Sequence, residues 1–256
     1  MSEPGFTVIA LGGIPRVRPG DDLPALLIAA IERAGLAPQR YDIVVVAQKV
    51  VSKAEARYLD LATITPGSRA MELAALTGKD ARLVEGILSQ SAEILRAAPG
   101  VLIALTHHGL VMANAGVDQS NLEAGDEGRR VLLLPEQPDR SALTIKRRLD
   151  AHFRTDVGVI VSDSTGRAWR LGTVGLAIGA AGVPSLMDRR GERDLAGRAL
   201  DATEVGFADA VASAGVLAMG EAAEARPAAL VRGLAWTAAT RPASALLRPK
   251  AQDLFR

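Results

Sequence analysis

Cysteine is absent, which excludes disulfides, thiolate zinc sites and cysteine nucleophiles and leaves packing to hold the chain together. Aromatic residues make up only 3% of the 256 residues, too few for the stacking platforms that hold single-stranded nucleic acid. An excess of one charge is missing too. Thirty basic against 29 acidic residues leave +1, so no global field steers the protein to DNA or an anionic membrane, and an anionic partner must be held by local placement. No apolar run approaches the roughly 20 residues that span a bilayer, and the first four residues lack the basic-then-apolar start of an export signal. The expectation is a cytoplasmic protein with no nucleic-acid and no membrane partner.

What is present is an ordinary globular composition, 48% hydrophobic and 23% charged, long enough for one large domain or two small ones. Residues 7–11 form a short β-rich run, followed by a Gly- and Pro-rich loop and then by Leu23, Leu26, Leu27, Ala30 and Ile31 at helical spacing, with Asp21 or Asp22 as the cap. Residues 42–47 read as a buried strand that delivers Gln48 and Lys49 to its end. Helical patterning is expected over 67–97, broken near Gly78. Residues 101–105 and 109–112 flank His107 and His108 like the arms of a hairpin. Val131–Leu134 is strand-like, Ser141 opens an amphipathic helix running to about His152, and 157–161 is a strand that ends at Ser162. An Ala-rich helix over 206–219 and a strand over 229–231 complete the pass. Without strict βαβ alternation, repeat or linker, the fold expected is α+β in a single domain over 1–256, with mixed or antiparallel sheets and packed helices.

Two acidic clusters are expected where strands run out into polar loops: Asn114 to Asn121, containing Asp118, and Ser162 to Arg167, containing Asp163 and Ser164. Carboxylates and hydroxyls are the oxygen ligands that magnesium and manganese prefer. Asp followed by Ser or Thr and Gly is also a turn signature, and both readings stand at this point. Lys49 and Lys53, four apart, share a face if helical and suit phosphate oxygens, or form a solvated helix start. Arg167 and Arg170 could clamp an anion or be solvated. His107 and His108 read as turn residues, His152 as favourable charge at a helix C-terminus, and Trp169 and Trp236 as packing residues.

In combination the segments become specific: Gly13 to Pro15 with Gly20 to Asp22, Gln48 to Glu55, Asn114 to Asn121, Ser162 to Arg167, and Met219 to Glu221. In this order and spacing, from about residue 7 to residue 234, they resemble the coenzyme F420:L-glutamate ligase family, also called F420-0:γ-glutamyl ligase. The resemblance implies an α+β fold particular to the family, an intertwined homodimer, and joining of L-glutamate to the terminal carboxyl of F420-0, then γ-linked additions, with GTP as co-substrate and an acyl-phosphate intermediate. It implies divalent magnesium or manganese, helped by a monovalent cation such as K+. By the same resemblance Asp118, Asp163, Ser164 and Glu221 match metal ligands, Ser164 standing where the family often has threonine, and Asp118 and Asp163 are the expected catalytic pair. Ile14, Pro15, Arg16, Val17, Gln48, Lys49, Lys53 and Asn121 match nucleotide-contacting positions, as do Met219, Gly220, Glu221, Ala222, Ala223, Glu224, Ala225 and Arg226. Ala56 departs from a common glycine, and Glu224 to Pro227 replaces a more glycine-rich loop. Some relatives add a flavin-binding reductase domain, and this chain is expected to be ligase only. The alternatives are the same chemistry on a related acid, or a non-catalytic nucleotide-binding protein on the same scaffold.

Overall fold

A computed structural model describes residues 5–120 and 128–254. The chain opens with β1 (Thr7–Leu11) and the loop to α1 (Leu23–Arg33), whose first turn is capped by the Asp22 carboxylate accepting from the Ala25 N–H at 3.1 Å. Next come β2 (Ile43–Ala47), the two-turn α2 (Gln48–Ala54) and β3 (Tyr58–Asp60). Then α3 (Ser68–Thr77) ends at a left-handed Gly78, and α4 (Ala81–Ser89) begins under an Asp80 cap. They lead into β4 (Ser91–Ala98), β5 (Val101–Thr106) and β6 (Val111–Ala113). Beyond these lie β7 (Arg130–Leu132), α5 (Pro138–Phe153), the hairpin of β8 (Gly158–Arg167) and β9 (Arg170–Ala181), β10 (Leu186–Asp188), β11 (Glu204–Gly206), α6 (Phe207–Met219) and β12 (Ala228–Arg232).

The main sheet has the order β1-β12-β2-β8-β9; β2 and β8 run parallel and the other pairs antiparallel. Its centre is apolar on both faces because both are covered. Val44, Val46, Val159 and Val161 pack under α1 and α5 with Leu27, Ile31, Ile145 and Leu149, while Ile43, Val45 and Ile160 pack under α6 with Val211, Ala212 and Val216. A second lobe sets α3 and α4 against the three-stranded sheet β4-β5-β6, and its core takes in Ala115, Val117, Val131 and Leu133. The two-stranded β3–β7 pair runs through this lobe. The fold is α+β with mixed sheets, as expected.

Four expectations are corrected. Residues 91–97 are strand, not helix: pairing with β5 overrides the helical spacing of Ile94 and Leu95, and irregularities between Ser91 and Glu93 and between Ile94 and Arg96 erase the period of two. The long helix opens at Pro138 rather than Ser141, since proline suits the first helical position, where no N–H donor is needed. The strand from 158 does not end at Ser162 but continues through Asp163 and Ser164 to Arg167, paired with β9. Trp169 is not a core residue: it lies 81% exposed at the tip of that hairpin with φ +60°, whereas Trp236 packs edge-on to Tyr41 and against Phe207 as expected.

Candidate functional site at the end of the parallel strands

Ala47 and Ser162 are register partners where β2 stops and turns into α2. The chain emerging from each strand therefore starts on the same strip of surface: Gln48 and Lys49 from one, Asp163 and Ser164 from the other. Gln48 is buried, and its amide oxygen accepts from the Ser52 hydroxyl one turn later at 2.9 Å, which leaves the amide nitrogen for the Asp163 carboxylate. Ser52, fully buried, was not singled out from sequence; its spacing of four from Gln48 was the available signal.

A third segment arrives from the second lobe. Asn114, Ala115 and Gly116 all take left-handed backbone, at φ +52°, +53° and +73°, a turn closed by the Val117 N–H donating to Asn114 O at 2.9 Å. Left-handed backbone costs a non-glycine residue of the order of 1–2 kcal/mol, so Asn114 and Ala115 hold this shape only because the surroundings impose it. Ala115 is buried in the lobe core, and a Cβ on Gly116 would come within 2.8 Å of the Leu134 side chain. Asp118 then exchanges both backbone hydrogen bonds with Leu132, at 2.9 and 2.8 Å. Its carboxylate is thereby set against Lys49, whose ammonium lies 2.6 Å from Asp118 Oδ2 and donates to the Ser120 hydroxyl at 2.6 Å. Ser120 closes the loop by donating its N–H to Asp118 Oδ1 at 2.7 Å.

Asp163 carries the electrostatic signature of the strip. Burial pushes its carboxyl up to about 6, and the Asp118 charge adds to this; the Ser164 N–H, at 2.9 Å from Asp163 Oδ1, Lys49 and Gln48 pull the other way. Two carboxylates thus face one lysine in a partly desolvated place where positive charge is short.

The returning strand supplies a fourth wall. α6 ends at Met219, whose side chain is buried in the core under the sheet, and Gly220 at φ +80° turns the chain into the exposed run 221–226. Glu224 folds back so that its carboxylate accepts from the Ala222 N–H at 2.8 Å, a bond that holds it below the usual range. Pro227 O accepts from the Ala47 N–H at 2.9 Å, which sets Ala225 and Arg226 beside the entry to α2.

Of the residues marked from sequence, the fold gathers Gln48, Lys49, Asp118, Asp163 and Ser164. Lys53 is half-buried on α2. Glu221 accepts from the Thr173 hydroxyl at 3.4 Å, on β9 opposite Gly166. In the loop after β1, Ile14 and Val17 point into the core that Val51 of α2 shares, while Pro15 and Arg16 are exposed. Asn121 lies outside the described residues. Among the described residues no group of three or more acidic or histidine side chains is drawn close enough to hold a metal ion. Two cavities of about 340 and 330 Å3 open beside the start of α5 and share Glu136, Gln137 and Arg140; neither is lined by Lys49, Asp118 or Asp163.

The histidines stay out of the strip. His107 and His108 occupy the β5–β6 turn, and the His108 ring nitrogen bonds Glu136 O at 3.0 Å. His152, near the end of α5, meets Glu32 at 2.8 Å. Arg167 donates to Gly172 O at 3.1 Å across its own hairpin.

Residues 13–233 match the family model described as F420-0:Gamma-glutamyl ligase. The chain is 42% identical over 257 residues to the coenzyme F420:L-glutamate ligase of Methanothermobacter thermautotrophicus, covering 98% of this chain and 99% of that one. It is 44% identical to the protein of the same name from Methanopyrus kandleri, again over 98% and 99% of the two chains, and 43% identical to that of Methanocaldococcus jannaschii over 84% of each.

Proposed function

Because the chain belongs to the F420-0:gamma-glutamyl ligase family, and so is an enzyme that forms C–N bonds, we propose that it joins L-glutamate to the terminal carboxyl of F420-0, then adds further γ-linked glutamates, at the expense of GTP. The observation that carries the siting of this chemistry is the convergence of Lys49, Asp118 and Asp163 from three separate elements on one strip. A free carboxylate is a poor acylating agent. In the proposed reaction a carboxylate oxygen of the acceptor attacks the γ-phosphorus of GTP, GDP leaves, and an acyl phosphate forms. The glutamate amine then attacks the acyl carbon, phosphate departs, and the amine gives up a proton.

Such transfer depends mainly on positioning and on neutralising charge. Lys49, already oriented by Asp118 and Ser120, and Lys53, on the same short helix, supply positive charge for phosphate oxygens. Arg226 stands beside the entry to that helix and adds to it. Asp118 and Asp163 are hard oxygen ligands, and the raised carboxyl of Asp163 marks where a further positive charge is favoured, so the donors fit magnesium or manganese, with Ser164 and Glu221 the remaining candidates. A divalent cation there would neutralise developing charge on the transferred phosphoryl group. The Ile14 to Val17 loop and the 219–226 turn are the proposed nucleotide edges, and K+ is the proposed monovalent helper.

Among the described residues no helix is long and apolar enough to cross a membrane; a cytoplasmic location is proposed. So is a homodimer, supported by the β8–β9 tip, where Trp169 and Leu171 are 81% and 99% exposed. Light scattering at the single-chain mass of 26.7 kDa would rule the dimer out.

The reaction is tested by mass spectrometry of products from purified protein given F420-0, GTP and glutamate, with each of GTP and divalent metal withheld in turn. Products heavier by successive glutamyl units, dependent on both, are expected. A glutamylated product formed without nucleotide, or none under the full mixture, overturns the reading.

A further inference from the structure

Past Ser162, β8 has lost β2 as a neighbour, and the stretch bearing Asp163 is paired with β9 alone. β9 is itself the outer strand of the main sheet, so its register there depends on what holds its outer edge. That edge is bonded to α6. The Ala177 N–H donates to Asp209 Oδ1 at 2.9 Å, and Gly175 O accepts from the Ser213 hydroxyl at 2.8 Å. Asp209 and Ser213 are four apart, one above the other on the helix face. Gly175 is required for the approach, since a Cβ there would lie 2.5 Å from Ala212 O.

The bonded residues are placed tellingly. Ala177 pairs with Ser162 and Gly175 with Ser164, so they bracket Leu176, the cross-strand partner of Asp163. Just beyond Ala177 the register slips: Val161 pairs with Gly179, and Ile178 is left as an extra residue in β9. A bulge of this kind bends the strand pair, and moving it by one residue along β9 would change which residues back Asp163 and displace the singly supported stretch that carries it, while the unbroken pleat of β8 keeps Asp163 on the same face.

We infer that Asp209 and Ser213 are positioning residues that fix the β8–β9 register beside the Ile178 bulge and so hold in place the stretch of β8 that carries Asp163. The inference rests on the proposed role of Asp163 only for its functional consequence; the register itself is open to direct measurement.

The test uses the full chain at a temperature where every variant is folded, with two readouts: hydrogen–deuterium exchange over residues 159–167, and Mn2+ uptake followed by electron paramagnetic resonance of the free ion. Asp209→Ala and Ser213→Ala should speed exchange in 162–166 by about tenfold without a matching change in β12, and weaken Mn2+ uptake by about tenfold, as loss of a supporting bond to a ligand does. Asp209→Asn keeps an acceptor oxygen for the Ala177 N–H and should behave like wild type in both. Unchanged exchange in 162–166, faster exchange spread evenly over the chain, or local loosening with unaltered Mn2+ uptake would each overturn the inference. If wild type itself takes up no Mn2+, the metal reading of Asp163 fails, and the exchange pattern alone decides the register claim.

Discussion

Ile43–Val46 and Asn114–Asp118 are two short runs that reach the same end of the main sheet, and they are built by opposite rules. The first is extended and fully buried, alternates between two helix-covered faces, and consists of residues that favour strands. The second holds three successive left-handed residues, one of them a buried alanine, and ends in a carboxylate that meets a lysine from another element. In the first run local preference and tertiary packing agree. In the second the backbone is held against its preference, and the result is Asp118 placed beside Lys49 and opposite Asp163. Such strain persists only where surrounding structure over-determines it, and it marks where chain geometry serves chemistry rather than stability.

The largest expected effect breaks this contrast at its charged end. Asp118→Asn and Asp163→Asn keep size and turn-forming ability but remove the charge that a cation requires. Each should fold and lose on the order of a thousandfold in GTP-dependent glutamate incorporation, the rate equivalent of several kcal/mol of lost neutralisation. Near-full activity in both variants across a magnesium and manganese titration would leave the two aspartates as turn residues only.

The same substitution at Asp163 should raise stability, because a site built for function pays for its charge. Burial lifts this carboxyl to about 6 from 3.8, so the unfolded chain ionises first as pH rises. Below about pH 4 the group is protonated in both states and contributes nothing; between about 4 and 6 the wild type loses stability, and above about 6 the full penalty applies. Two pH units correspond to at most about 3 kcal/mol. With metal chelated, Asp163→Asn should therefore melt above wild type at pH 7.5 and converge with it near pH 4. A gap that stays constant with pH would show that Asp163 is not desolvated as described.

Much of the regular run was legible and little of the strained one. β1 and β2, the Asp22 cap, the Gly78 break and the hairpin around His107 follow from apolar spacing and turn chemistry, which act over a few residues. The residues of the strip were legible by type, and their assembly was not. Nothing local announces that Asn114 and Ala115 turn left-handed, that β8 runs on through Asp163, or that Ile178 bulges, since each is imposed by distant partners: Leu134, β9 and α6. β4 was misread for a related reason, its two irregularities hiding the strand period. Trp169 was misread because an aromatic ring suggests a core, whereas its place at a hairpin tip is set by the length of the arm.

The smallest expected effect sharpens the contrast at two alanines held in left-handed backbone, Ala56 and Ala225. Ala56 and Ala225 have φ of +56° and +53°, so both take the backbone region that glycine enters freely and a Cβ disfavours. This chain meets that backbone demand at both turns with alanine, at a cost. Part of that cost is offset, because alanine also restricts the unfolded chain and glycine would not. Ala56→Gly and Ala225→Gly should each stabilise by less than about 1 kcal/mol, seen as a small rise in melting temperature. Their effects should differ on the ligand side. Ala56 follows α2 at the end remote from Lys49, whereas Ala225 adjoins Arg226 beside the entry to that helix, so only Ala225→Gly should also alter the apparent KM for GTP, by a few-fold. Melting temperatures that fall in both variants would show that the left-handed turns are not strained by alanine, and a KM shift confined to Ala56→Gly would remove the 219–226 turn from the nucleotide edge.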